Sequence, residues 1–224
     1  MTGISVVIAT FNRAEQLRPC LDALARQTAG PESFEVVVVD DGSTDETAAM
    51  LREYRAPFRL RVERQANRGP GAARNRGIDV AAGTYCLFMD DDILAEPELV
   101  SEHLTAQRAG AGVVGIGMLG LNVRAERSGL ARYFAAWWEG HYRRFESGEA
   151  EPSFWDCFSG NMSAPRDVLR SIGGFDESLE RTEDVELGYR LAQSGLKIVY
   201  LGRAAAEQHH GKGFREIVRD YDRA

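Results

Sequence analysis

Three almost uninterrupted apolar runs, rich in β-branched residues, punctuate the first 90 positions: ISVVIA (4–9), FEVVVV (34–39) and TYCLFM (84–89). A strand with one face in water alternates apolar and polar residues. Runs without that alternation predict strands buried on both faces, as in a parallel sheet. Between the runs the period changes to that of a helix. Residues 13–27 place Leu17, Leu21 and Leu24 on one face, with Pro19 expected to kink or delay the helix. Residues 44–54 follow Ser43, which stands three positions before Glu46 as in a capping box. Residues 71–81 are alanine-rich. The order β-α-β-α-β-α-β predicts a doubly wound α/β layer structure.

The second half is less regular. A helix is expected over 96–109 after Pro97, and a strand over 113–121. Leu130, Tyr133, Phe134, Trp137, Trp138, His141 and Phe145 recur at helical spacing and predict a long aromatic amphipathic helix. Packing into the core is one use for that face. An acceptor or membrane-interface surface is the other, because Trp137, Trp138 and Tyr142 suit both sugars and lipid headgroups. A further helix is predicted over 182–194, stopped by Gly195, then a strand over KIVYL (197–201) and a charged helical tail from Phe214. No repeat or linker interrupts the chain, so a single domain over 1–224 is expected.

Charge and cysteine usage narrow the class. The net charge is 27 − 34 = −7, against non-specific nucleic-acid binding, which needs a basic surface. Cys20, Cys86 and Cys157 are far apart, odd in number and outside any C-x-x-C pattern. They predict neither a zinc site nor a disulfide framework, and point to a reducing, cytoplasmic compartment. The first strand run is too short for a signal segment. The longest apolar stretch, 113–123, contains three glycines and is too short to span a bilayer. A soluble protein is expected, with peripheral contact at the inner membrane face left open.

Ligands of parallel α/β sheets bind beyond the carboxyl ends of the strands. Thr10, Phe11, Asn12 and Arg13 follow the first run, Asp40 and Asp41 the second, and Asp90, Asp91 and Asp92 the run ending at Met89. Three consecutive carboxylates repel unless a cation or ordered donors neutralise them. They either hold a divalent metal, with oxygen ligands favouring Mg²⁺ or Mn²⁺ over zinc, or form a solvated helix-capping turn. Asp41 either accepts a hydrogen bond from a base or ribose, or builds the DDGS turn. NRGPGAARNRG (67–77) is an imperfect echo of G-x-G-x-x-G in the wrong place for a dinucleotide fingerprint. Arg74 within it either reaches phosphate or base, or lies on the surface. Glu183 and Asp184 either complement a helix dipole or include a general base. His209 and His210 are either metal ligands or satisfied surface residues.

With SVVIATFNR (5–13), VVVVDDGSTDET (36–47), NRGPGAARNRGI (67–78), YCLFMDDDI (85–93), SGNMSAPRDVLRSIGGFDESL (159–179) and TEDVELGYRL (182–191) in this order and spacing, the chain resembles a family-2 glycosyltransferase. The resemblance implies a GT-A type fold, a three-layer α/β/α sandwich with a mostly parallel central sheet. Residues 1–95 would form the nucleotide-binding half and 96–224 the acceptor-binding and catalytic half. It implies a nucleotide-sugar donor at Ala9, Thr10, Asn12, Asp41, Asn67, Gly71, Arg74, Asp90 and Asp91, with Asp41 on the base, usually uracil. It implies Mn²⁺ or Mg²⁺ on Asp92, aided by Asp90 and by His209 or His210. Asp184 would be the catalytic base beside Glu183. Gly160, Asn161 and Trp155 would line the sugar or acceptor pocket, for a saccharide, lipid-linked or small-molecule acceptor. The absence of Q-x-x-R-W disfavours a processive synthase and suggests transfer of single sugars, and the resemblance implies that transfer inverts the sugar. A sugar-1-phosphate nucleotidyltransferase should carry a glycine-rich loop after the first strand, where ATFNR stands. A dehalogenase-type phosphatase should carry its nucleophilic Asp there. A degenerate sugar-nucleotide-binding subunit is a non-enzymatic alternative, against which Asp92 and Asp184 both stand.

Overall fold

The computed structural model describes residues 3–110, 112–121 and 129–209. An eight-stranded sheet runs through it in the order β3-β2-β1-β4-β7-β6-β8-β5. The three apolar runs form β1 (Ile4–Thr10), β2 (Phe34–Asp40) and β4 (Tyr85–Asp90). They lie side by side and parallel, β1 between the other two. The charged β3 (Arg59–Arg64) closes that edge parallel to β2. None of its residues is fully buried and four of the six are charged, which suits an edge strand, where charge discourages pairing with another chain.

The other side of the sheet is mixed. The strands there are β5 (Ile93–Ala95), β6 (Val113–Leu121), β7 (Asn161–Pro165) and β8 (Lys197–Gln208). β7 is antiparallel to both β4 and β6, and β6 and β8 are parallel. β8 runs well past the expected end at 201, and its last residues pair antiparallel with β5. That extension carries the chain back to the acidic triplet, since the backbone N–H of His209 donates to the Asp92 carbonyl at 2.9 Å.

Helices cover both faces. On one, α1 (Ala14–Leu24) and α4 (Leu99–Arg108) bury Leu17, Leu21, Leu24, Leu99 and Val100 against Ile4, Val6, Ile8 and Leu87. On the other, α3 (Pro70–Val80), α6 (Arg166–Ser171) and α7 (Glu183–Gln193) contribute Ile78, Leu169, Leu187 and Leu191, packed with Val7, Cys86 and Phe88. Gly77 of α3 faces Val7 with no room for a Cβ, so a small residue sets how closely that helix approaches β1. Cys20, Cys86 and Cys157 are buried free thiols.

Three local expectations need correction. α1 runs unbroken through Pro19, which is exposed. The amide that proline lacks would have met a carbonyl on the solvent side, where water can replace the bond. α2 (Thr47–Glu53) starts later than expected and Ser43 does not cap it. The Ser43 N–H instead donates to Asp40 Oδ1 at 2.8 Å, and its hydroxyl accepts from the Asn12 N–H at 2.9 Å. Asp45 serves the helix start, accepting from the Thr47 N–H at 3.0 Å. The aromatic helix, α5 (Gly129–Glu146), divides its rings. Tyr142 is buried and stacks on Tyr200 at 5.5 Å, and Trp138 meets Phe158 edge-on at 5.2 Å. Tyr133 and Trp137 stay exposed. The side chains of Leu130 and Phe134, residue His210 and the tail from Phe214 lie outside the described residues. No helix among the described residues is long and apolar enough to cross a membrane.

Candidate active site

The carboxyl ends of β1, β2 and β4 open onto a cleft of about 450 Å³. Its lining includes Ala9, Thr10, Asp41, Asn67, Arg74, Asp90, Asp91 and Asp92, all singled out from sequence, together with Phe11, Arg13, Gly69, Pro70 and Gln208. The parallel order of β2, β1 and β4 brings these distant segments to one edge.

The triplet is neutralised by internal donors. Arg13 donates to Asp92 Oδ2 at 2.7 Å and lies 3.3 Å from Asp91 Oδ1. The Thr10 hydroxyl donates to Asp91 Oδ2 at 2.7 Å, and the Gln208 amide to Asp92 Oδ1 at 3.2 Å. Arg74 donates to Asp90 Oδ1 at 2.8 Å. Asp91 and Asp92 are buried, and burial pushes the Asp91 carboxyl up to about 6, against the pull of Arg13. All the acidic donors are oxygens, which suits a hard divalent cation. Among the described residues no group of three or more His, Cys, Asp or Glu forms a ready-made metal cage. A Mg²⁺-like ion needs none, because it takes one or two carboxylates and completes its shell with water and substrate phosphate. On that chemistry the residues fit a cation that arrives with a diphosphate.

Arg74 is the surprise of the site. Sequence left it reaching a ligand or lying on the surface, whereas it is buried, bridging Asp90 to Glu183 Oε1, the second contact also 2.8 Å. Its guanidinium stands over the Phe175 ring at 5.5 Å. Burial works against its charge, and Asp90 and Glu183 outweigh burial, so it stays protonated. Glu183 is therefore held in an ion pair with Arg74. Asp184, next along α7, accepts from the Ser159 N–H at 3.1 Å and from the Val185 N–H at 2.9 Å. Burial, then the neighbouring Glu183 charge, raises its pKa. α7 starts from Thr182 at φ 59°, a left-handed conformation that is costly for a β-branched residue. Thr182 lies two positions before Asp184.

Other expected site residues are placed elsewhere. The Asn12 side chain turns from the cleft to accept from the Thr44 N–H at 2.7 Å, clamping the 43–45 turn. Gly71 faces Phe175 and Asp176 rather than the cleft. Asn161 is spent inside the sheet: its amide donates to the Met118 and Ala204 carbonyls, and its oxygen meets buried His103 at 2.8 Å. Burial lowers the pKa of His103 to about 4, so it holds this network as a neutral ring. Gly160 lies beside Asp90, where a side chain would collide with Ile93. Trp155 is exposed in a short 3₁₀ turn (Phe154–Asp156) away from the cleft. The backbone N–H of His209 donates to the Asp92 carbonyl, and its ring lies 3.4 Å from Glu207. Asp41 does line the cleft, but its carboxylate also accepts from the Gln65 amide and from the Arg68 and Gly69 N–H groups. Those bonds tie the end of β2 to the 65–69 segment. Gln208 had no signal in the sequence, because nothing there extends the last strand beyond 201.

A strand-end cleft of this kind on a doubly wound sheet is a nucleotide-binding arrangement. The chain belongs to glycosyl transferase family 2, whose sequence pattern matches residues 5–173. It is 35% identical over 222 residues to a validoxylamine A glucosyltransferase of Streptomyces hygroscopicus subsp. limoneus, covering 86% of this chain and 48% of that one. The chain spans about half the length of that relative and of its counterpart from subsp. jinggangensis. The fold is of the GT-A type. Staphylococcus aureus TarS (residues 1–349, with UDP-GlcNAc) superposes with a TM-score of 0.75 at 23% identity, covering 94% of this chain and 60% of that one. A mannosyltransferase of Pyrobaculum calidifontis, with GDP-Man and Mn²⁺, superposes at 0.69 with 20% identity, covering 98% and 63%.

Proposed function

We propose that this chain is one glycosyltransferase domain that moves a single sugar, with inversion, from a nucleoside-diphosphate sugar to an acceptor hydroxyl. The observation that carries this reading is the cleft itself: a diphosphate-sized space walled by Asp41, Arg74 and the 90–92 carboxylates, with the Asp184 helix tied to it through Arg74 and Glu183. Asp184 takes the proton from the acceptor oxygen, which attacks C1 of the donor sugar opposite the leaving diphosphate. A carboxylate whose pKa is raised by burial suits that task, because a base works best when its pKa approaches the working pH. Mn²⁺ or Mg²⁺ at Asp92 and Asp90, when bound, supplies charge neutralisation for the departing diphosphate. Uridine is the favoured base, supported by the UDP-GlcNAc complex of one structural neighbour, while GDP-Man in another makes guanosine the comparison to run.

A thermal-shift screen of UDP- and GDP-sugars, with and without Mn²⁺, tests the donor class. A donor held at about 100 times its dissociation constant should add about 2.7 kcal/mol of stability, and only with Mn²⁺ present. Absence of a shift with any nucleotide sugar would count against the reading. Asp92→Ala should abolish the Mn²⁺-dependent part of donor binding by calorimetry. Metal dependence equal to that of the parent would remove Asp92 from the cation site.

A further inference from the structure

The acidic triplet has six carboxylate oxygens, and internal donors engage five of them: Asp90 Oδ1, both oxygens of Asp91 and both of Asp92. The sixth, Asp90 Oδ2, lies beside Gly160. A divalent cation that binds Asp92 therefore competes with Arg13 at Oδ2 and with Gln208 at Oδ1. Gln208 gives one 3.2 Å hydrogen bond, whereas Arg13 spans two carboxylates and carries a full charge. Arg13 is also built to move. Its backbone is fixed at the start of α1, where its N–H donates to Thr47 Oγ1 at 3.2 Å. Its side chain is long, 31% exposed and lines the cleft.

We propose that Arg13 is the resident counter-ion of the triplet and passes to the donor's diphosphate when the divalent cation takes its place at Asp92. The proposal rests on the metal-dependent donor reading above. Two buried carboxylates need a cation, and the guanidinium supplies one while the site is empty of donor. The incoming diphosphate offers Arg13 new acceptors of matching geometry within the same cleft. Each ligand thereby lowers the cost of the other, and such coupling is reciprocal. Metal without donor competes with Arg13 and offers its guanidinium only water in exchange, so it binds more weakly than metal with donor.

The test uses the full chain, its Arg13→Gln and Arg13→Lys variants, and Mn²⁺ alone followed by electron paramagnetic resonance. Arg13→Gln should bind Mn²⁺ about fivefold or more tighter than the parent, the low end of common coupling factors. Arg13→Lys should also bind it tighter, because an ammonium cannot bridge two carboxylates as a planar fork does. UDP, titrated at saturating Mn²⁺, should bind Arg13→Gln more weakly. Removing Arg13 leaves Asp91 and Asp92 unpaired, so Arg13→Gln should melt lower without metal and gain more from Mn²⁺ than the parent does. Unchanged or weaker Mn²⁺ binding in Arg13→Gln overturns the proposal. So does tighter binding in Arg13→Gln with parental binding in Arg13→Lys, which would leave only long-range charge. Parental UDP affinity in Arg13→Gln overturns the transfer to diphosphate. If the parent takes up no Mn²⁺ even with UDP, the metal-dependent reading fails first and this one with it.

Discussion

Asp184→Asn should lower the transfer rate by about 10²–10⁴-fold, the usual worth of general-base help, while UDP-sugar affinity stays within about twofold of the parent. The substitution preserves shape and removes only the proton acceptor. Asn keeps a carbonyl oxygen for one of the two N–H groups that hold the side chain, from Ser159 and Val185. The pH profile gives a second readout. Transfer needs the ionised carboxylate, so the rate falls as pH falls through the pKa of Asp184. Burial and Glu183 raise that pKa, so the acidic limb should lie above the ordinary aspartate value of about 3.9. The limb should be missing from the residual activity of Asp184→Asn. Equal losses of rate and donor affinity would sink the base assignment. A limb retained in the variant would move the role to another group.

The donor half was legible because its signals are local. β1, β2 and β4 each announce themselves as apolar runs, and each ends in the polar residues that line the cleft. The other half depends on contacts between residues far apart in sequence. β7, NMSAP, has no strand-like pattern; it pairs with β4 and β6, and buried Asn161 and Ser163 are bonded to His103 and Gln107. Side-chain direction was the other blind spot. Asn12, Gly71 and Asn161 sit in the right motifs yet face the 43–45 turn, the 175–176 segment and the sheet interior. A motif places a backbone segment at the site without saying which side chains it presents. Charge pairing was hidden for the same reason. The triplet announced a need for cations, but Arg13 lies 78 and 79 positions from Asp91 and Asp92, and only the fold puts its guanidinium there.

Arg74→Met should cost about 3 kcal/mol of stability, at the low end for breaking a buried ion pair because Asp90 is one-third exposed. For a chain of this length that is a fall of about 6–12 °C in melting temperature. Methionine fills much of the space over Phe175, so the loss reports charge rather than volume. What remains is Glu183 buried without its partner, beside Asp184 and near Asp90. Arg74→Lys should recover only part of the loss, since one ammonium cannot donate to Asp90 and Glu183 along two fixed directions. A melting temperature within two degrees of the parent would show that Arg74 does not lock the two sides together. If the lock holds, the variant should lose rate beyond what its folded fraction explains. Arg74 ties the first turn of α7, which carries Asp184, to the end of β4.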